Sequence, residues 1–149
     1  MKAITWLASF TAVAITASAF AAPEGWLDDF DQALAKAKDE KKPVLLEFTG
    51  SDWCPPCIAL SKNVFSKKEF MDSASQKFVL VKLDFPRGNK VLSEKNEPFA
   101  QKFKIDGFPT VVLLDSEGKE FTRFYGGEHP TVEKFLKHLD EALEKKNLD

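Results

Sequence analysis

Hydrophobic and polar positions along the chain change period several times, and the order of the changes predicts the fold class. Trp26, Leu27, Phe30, Leu34 and Ala37 recur at helical spacing and run into the charged stretch 38–42, after which Pro43 is expected to stop the helix. Val44-Leu45-Leu46-Glu47-Phe48 is a short, nearly continuous apolar run, the pattern of a central strand buried on both faces. Glu47 is its one exception.

Ile58, Leu60, Val64 and Phe65 then suit a helix beginning near Cys57, and Ser66-Lys67-Lys68-Glu69 has the form of a capping box opening a further helix through Phe70 and Met71. Residues 78–83 predict a second strand. A loop with Pro86, Arg87, Gly88 and Asn89 follows, then a short helix over 98–103. Residues 110–114 predict a strand, 115–118 a turn, and 120–124 its hairpin partner. The chain closes with a helix capped by Thr131, whose apolar stripe is Val132, Phe135, Leu136, Leu139 and Leu143. The order α-β-α-β-α-β-β-α predicts an α/β protein: a central mixed sheet of parallel crossovers plus a terminal antiparallel hairpin, with helices on both faces.

The first 22 residues stand apart. Lys2 is the only charge before Glu24, residues 6–15 are almost continuously apolar or small, and residues 16–22 are mainly alanine with serine. That is the layout of a secretory signal, with Ala19-Phe20-Ala21 as its cleavage pattern and Ala17-Ser18-Ala19 as an alternative. An uncleaved anchor is the competing reading, but the apolar run falls short of the roughly 20 residues a membrane span needs. The expected division is a signal peptide over 1–21 and a single domain over 22–149, with no internal linker or repeat.

Composition narrows the function. With 21 basic and 23 acidic residues in 149, the formal charge is −2, which does not fit a nucleic-acid binder. The 14 phenylalanines are available to fill a core. Two cysteines, at 54 and 57, are too few for a disulfide framework and too close for their bond to constrain the unfolded chain. Chemistry is the better reason for them.

If Cys54 is the N-cap of the helix that follows, Cys57 is at N3 on the same side. The sulfurs then bond with little backbone movement, and the helix terminus favours the anion of the outer thiol. Pro55 and Pro56 take N1 and N2, where no intrahelical N–H is needed, although Pro56 also disfavours helical geometry at Pro55. Two other readings compete. A zinc site needs four ligands, and the only histidines, His129 and His138, have eight residues between them rather than the usual three to five; a metal or cluster shared by two chains stays open. An inert buried pair fits poorly with two prolines that force a helix start.

Phe48-Thr49-Gly50-Ser51-Asp52-Trp53-Cys54-x-x-Cys57, with Gly107-Phe108-Pro109-Thr110 before the later strand, resembles the thioredoxin-fold family over essentially the whole mature chain. It is most similar to the secreted branch that includes the C-terminal domain of DsbD. The resemblance implies a thiol–disulfide oxidoreductase with Cys54 as nucleophile and Cys57 as resolving thiol. It also implies a cis Pro109 facing the pair and a substrate surface formed by Trp53, Pro55, Pro56, Phe108 and Pro109. Glu47 then matches the family's buried acid beneath the second cysteine and is a candidate proton acceptor, against the alternative of a solvent-facing residue on an edge strand. Ser51 and Asp52 read as turn residues. Arg87 reads as a solvated loop charge, with steering of an acidic partner as its functional alternative.

Strong oxidants and isomerases of this fold commonly carry a histidine where Pro56 stands, so the resemblance implies reduction or isomerisation of disulfides in exported proteins. No cofactor is required, a monomer is expected, and a DsbD-like membrane protein is the implied electron donor. A periplasmic or secreted location follows from the signal. A dithiol oxidase and a redox-inert binding or chaperone-like module are the alternatives.

Overall fold

A computed structural model describes residues 25–148; the signal segment and its cleavage pattern lie outside the described residues. The elements are β1 (Trp26–Leu27), α1 (Phe30–Glu40), β2 (Val44–Thr49), α2 (Pro55–Leu60) continued by a π-helical turn (Ser61–Phe65), α3 (Lys68–Lys77), β3 (Val79–Asp84), α4 (Lys90–Lys102), β4 (Thr110–Leu114), β5 (Glu120–Tyr125) and α5 (Val132–Leu148). A single 3₁₀ turn, Gly126–Glu128, leads from β5 towards α5. The sheet order is β1-β3-β2-β4-β5. β3 pairs in parallel with β1 and β2, whereas β4 runs antiparallel to both β2 and β5. This is the expected mixed sheet, and it is a thioredoxin fold.

Alternation along the central strands divides the core into two layers. Val44, Leu46 and Phe48 of β2, with Val112 and Leu114 of β4, pack beneath α1 and α4 on Phe30, Ala33 and Phe103. Leu45, Val111 and Leu113 face the other way, onto Leu60, Val64, Phe70 and Phe135 from α2, its π-helical turn, α3 and α5. Phe135 lies within 5.1–5.7 Å of Phe65, Phe70 and Phe124, a cluster that anchors α5 over the sheet. Glu47 shares the face of Leu45, so it points into the layer that contains α2.

Four boundaries differ from the sequence expectations, each for a local reason. Trp26 and Leu27 form a strand paired with Leu80 and Val81 instead of the first helical turn. The Asp29 side chain accepts from the Gln32 amide and starts α1 at Phe30. α1 ends before Pro43 is reached, at Lys41, which takes the left-handed conformation (φ 53°) and donates its N–H back to the last turn. Ser66 is not the N-cap of α3: it closes the π-helical turn, donating its N–H to the Ser61 carbonyl, and Lys67 takes the N-cap position. Finally, α4 starts at Lys90, capped by the Asn89 side chain, and carries Pro98 inside it. Glu94 and Pro98 are exposed, so water is available to the carbonyl that Pro98 leaves without a donor.

Candidate active site

Gly50 follows the C-terminal end of the central strand β2, and the chain turns tightly there: Trp53 and Cys54 both donate their N–H groups to the Gly50 carbonyl. The Trp53 indole packs directly on Gly50, where a Cβ would fall 2.5 Å from the ring, so this turn requires glycine. Cys54 is the N-cap of α2 in an extended conformation, Pro55 and Pro56 occupy its exposed first turn, and Cys57 is buried at N3. The two cysteines are joined by a disulfide, with their Cα atoms 5.2 Å apart. They are 4% and 1% exposed, so a partner must approach the pair along a restricted path.

That path has two sides. On one side is Phe108, which leads into Pro109 through a cis peptide bond. Phe108 sits edge-on to Trp53 with ring centroids 5.8 Å apart and stacks on Phe85 at 5.2 Å. The Pro109 carbonyl accepts from Gly126 N–H at 2.9 Å, which ties the proline to the 3₁₀ turn. On the other side Thr49, Ser51, Cys57, Ile58, Ser61, Lys62 and Lys82 line a cleft of about 210 Å³. Ile58, on the helix face that was expected to be apolar, is 45% exposed at this rim.

Glu47 is completely buried and neither of its carboxylate oxygens accepts a hydrogen bond. It occupies no edge strand, because β2 is flanked by β3 and β4. Burial penalises its charged form and pushes its pKa from the ordinary carboxylate range up to about 7, against the opposing pull of the Lys82 ammonium. Lys82 is its register partner on β3, with Nζ 4.0 Å from Oε2, and it also lines the cleft that borders the buried Cys57.

Ser51 and Asp52 do more than form a turn. Ser51 donates its amide and hydroxyl to the Asp84 carboxylate. Asp52 accepts from the N–H groups of Arg87 (2.9 Å) and Gly88 (2.8 Å), which hold its carboxyl below the usual range. The Trp53 indole N–H donates to the Phe85 carbonyl at 2.7 Å. The loop after β3 is thus fastened to the turn before α2, and Arg87 lies over the Trp53 ring, its guanidinium carbon 4.8 Å from the centroid. Behind this, the buried Asn96 of α4 donates to the Asp84 backbone carbonyl. Lys82, Asp84 and Asn96 escaped the sequence reading. Lys82 alone left a trace there, as the one charge in the apolar run 78–83. His129 and His138 stack on each other, ring centroids 4.0 Å apart, beside Phe124 between the 3₁₀ turn and α5.

Fold and paired cysteines together define the class, and the chain belongs to the thioredoxin-like domain family, whose model matches residues 30–143. It is 36% identical over 99 residues to the disulfide bond reductase DsbH of Chlamydia pneumoniae, across 64% of this chain and 60% of that protein. It is 33% identical over 108 residues to the thioredoxin-related protein DsbJ of the same organism, across 69% of this chain but 31% of the relative. The chain therefore spans less than two thirds of either relative. A solved DsbH oxidoreductase superimposes with a TM-score of 0.71 at 31% identity, covering 80% of this chain and 83% of that one. The C-terminal domain of Neisseria meningitidis DsbD shares the fold, with a TM-score of 0.59 at 19% identity over 75% of this chain and 92% of that one.

Proposed function

We propose that this protein is an extracytoplasmic thiol–disulfide oxidoreductase that reduces disulfides in exported proteins. The observation that carries the reading is the Cys54–Cys57 disulfide at the start of α2, where Cys57 and Lys82 line one cleft and the Trp53 ring before Cys54 packs on Phe108 of the cis Phe108–Pro109 bond. The composition of residues 1–21 supports export followed by cleavage near Ala21. Reduction is supported by the name of the DsbH relative and by Pro56, which adds no positive charge to stabilise a reduced thiolate.

The exchange proceeds in two balanced steps. In the reduced protein the α2 N-terminus favours the Cys54 thiolate, which attacks one sulfur of the substrate disulfide; a mixed disulfide forms and the other substrate sulfur leaves as a thiolate that takes a proton from water. Cys57, deprotonated with Glu47 as acceptor, then attacks the Cys54 sulfur, and the second substrate thiolate leaves and is protonated. Two electrons have passed to the substrate, and Cys54–Cys57 is left as a disulfide. Trp53, Phe108 and Pro109 form the surface on which the substrate chain lies, with Pro55 and Pro56 at its edge. Each turnover oxidises the pair, so a reductant is required, and a DsbD-like membrane protein is the donor that fits.

Equilibration of the mature domain with glutathione buffers, read by thiol trapping, tests the direction. A potential near that of thioredoxin, about −270 mV, and an outer-thiol pKa near about 7 are expected; a potential near about −120 mV overturns the reductase reading. In an insulin-reduction assay Cys54→Ser abolishes activity and Cys57→Ser accumulates mixed disulfide. A Cys54→Ser variant that retains full reductase activity removes the dithiol from the mechanism.

A further inference from the structure

We propose that Arg87 is a specificity-determining residue: it selects partner disulfides whose cysteine is flanked by a carboxylate side chain. The proposal rests on the exchange reading above. It also rests on three features of the Arg87 loop.

The first feature is position. Arg87 lies over the Trp53 ring, and Trp53 immediately precedes Cys54 and packs against Phe108. A partner segment whose sulfur reaches Cys54 across that surface has its neighbouring side chains beside Arg87. The second is rigidity. The loop is held by Asp52, which accepts from the Arg87 and Gly88 amides, and by the Trp53 indole, which donates to the Phe85 carbonyl. A cation over an indole face is attracted to it, which restricts the side chain before any partner arrives.

The third feature is availability. Among the described residues the Arg87 guanidinium makes no hydrogen bond and no ion pair, although it is exposed. Arg123 shows what a satisfied arginine in this fold looks like: it donates twice to Glu120 and once to the Phe103 carbonyl. Asp52, the acid next to Arg87, already has both oxygens engaged by backbone amides. A guanidinium held over a ring and bonded to nothing else has N–H groups free, and these match a carboxylate in a two-pronged fork. The one ligand class that completes this arrangement at the mouth of the site is an acidic side chain on the incoming peptide.

The test compares three peptide disulfides that differ only in the residue beside the cysteine: Glu, Gln or Lys. Second-order rates of reduction by the reduced protein are divided by the rates with dithiothreitol, which removes the intrinsic reactivity of each disulfide. The expected Glu-to-Lys ratio is about tenfold at about 0.01 M salt and near unity at about 1 M, where the Debye length falls from about 30 Å to about 3 Å. Arg87→Glu reverses the preference, and Arg87→Lys keeps its sign at a smaller ratio because an ammonium lacks the planar fork. An unchanged ratio in Arg87→Glu overturns the proposal, as does a wild-type ratio that ignores salt; the salt series decides even where a variant folds poorly. If the wild-type protein reduces none of the three peptides, the exchange reading itself fails, an outcome distinct from reduction without preference.

Discussion

Lys82 Nζ lies 4.0 Å from Glu47 Oε2 across the parallel β2–β3 pair, yet the two groups meet water differently: the carboxylate is sealed and the ammonium reaches the cleft beside Cys57. A pair at this separation, with no hydrogen bond to either carboxylate oxygen, leaves the desolvation of Glu47 only partly offset. A carboxyl with a pKa of about 7 is close to half protonated at neutral pH, the condition under which it exchanges a proton at least cost in either direction.

The same burial makes stability depend on pH. In the oxidised protein Glu47 has a pKa of about 7, against 4.5 for the ordinary carboxyl, so between those values the folded state holds more protons than the unfolded one. Stability therefore falls as pH rises through this window, by about 3 kcal/mol in all. Guanidinium unfolding of the oxidised protein at about pH 4.5, 6 and 8, which span the window between the two pKa values, is expected to show the decline, and Glu47→Gln to abolish it. A wild-type profile parallel to that of Glu47→Gln contradicts the burial argument.

Lys82→Met removes the countercharge, together with the ammonium's contact over the Trp26 ring, and keeps an unbranched stem of similar length. Without the ammonium the Glu47 pKa rises further, so the variant is penalised where the wild type has Glu47 ionised. A loss of about 1 kcal/mol is expected near pH 8, where a carboxyl of pKa about 7 can still escape by taking up a proton, and a much smaller one near pH 5, measured by denaturant titration. Equal losses at both values identify Lys82 as a packing residue only.

How far the sequence reveals this site depends on the range of the interaction. The dithiol was legible because its chemistry is local: a helix start, two prolines and two cysteines within four positions produce the geometry on their own. The mixed sheet with its terminal hairpin followed from the sequence of periods. Trp26 and Leu27 were misread because two apolar residues fit a helix period as well as a strand, and only pairing with Leu80 and Val81 distinguishes them. Lys82 and Asp84 became functional candidates only through the register of β3 on β2, which no local pattern encodes. Arg87 is the sharpest case: read locally it is a solvated charge, and only the contact with Trp53, 34 positions earlier in the sequence, places it at the site.

The bridge between the two loops is expected to depend on Asp52. Asp52→Ala leaves the Arg87 and Gly88 amides without their acceptor, so hydrogen exchange at both should accelerate by about an order of magnitude while the core strands are unaffected. Because these amides hold the carboxyl below its usual range, the wild-type protection should persist as pH falls past the ordinary value of 3.8 and be lost below it. Unchanged exchange at Gly88 in the variant means that the loop is held by the Trp53 bond alone.

The phenylalanine cluster under α5 offers a control remote from the chemistry. Phe135 is fully buried among three other phenylalanines, and Phe135→Ala is expected to cost about 3–5 kcal/mol in global unfolding. The potential of the Cys54–Cys57 pair should stay within error of the wild type, provided both are measured below the variant's melting temperature. A large shift in potential shows that α5 packing is coupled to the dithiol.

The decisive kinetic experiment separates the two exchange steps. In the exchange proposed above, formation of the mixed disulfide depends on the Cys54 thiolate at the N-terminus of α2, whereas Glu47 is buried within the sheet. Release depends on Cys57, which is 1% exposed and has little water to take its proton. If Glu47 is the acceptor proposed above, Glu47→Gln, which keeps size and shape, is expected to slow release by about a hundredfold, the lower end of general-base effects, and to leave formation within about twofold. Rapid mixing with a peptide disulfide resolves the two phases. In the wild type the release rate should rise with pH through about 7 as Glu47 ionises, and that inflection should disappear in the variant. Slowing of both steps by the same factor assigns Glu47 to the architecture of the sheet and removes it from the proton path.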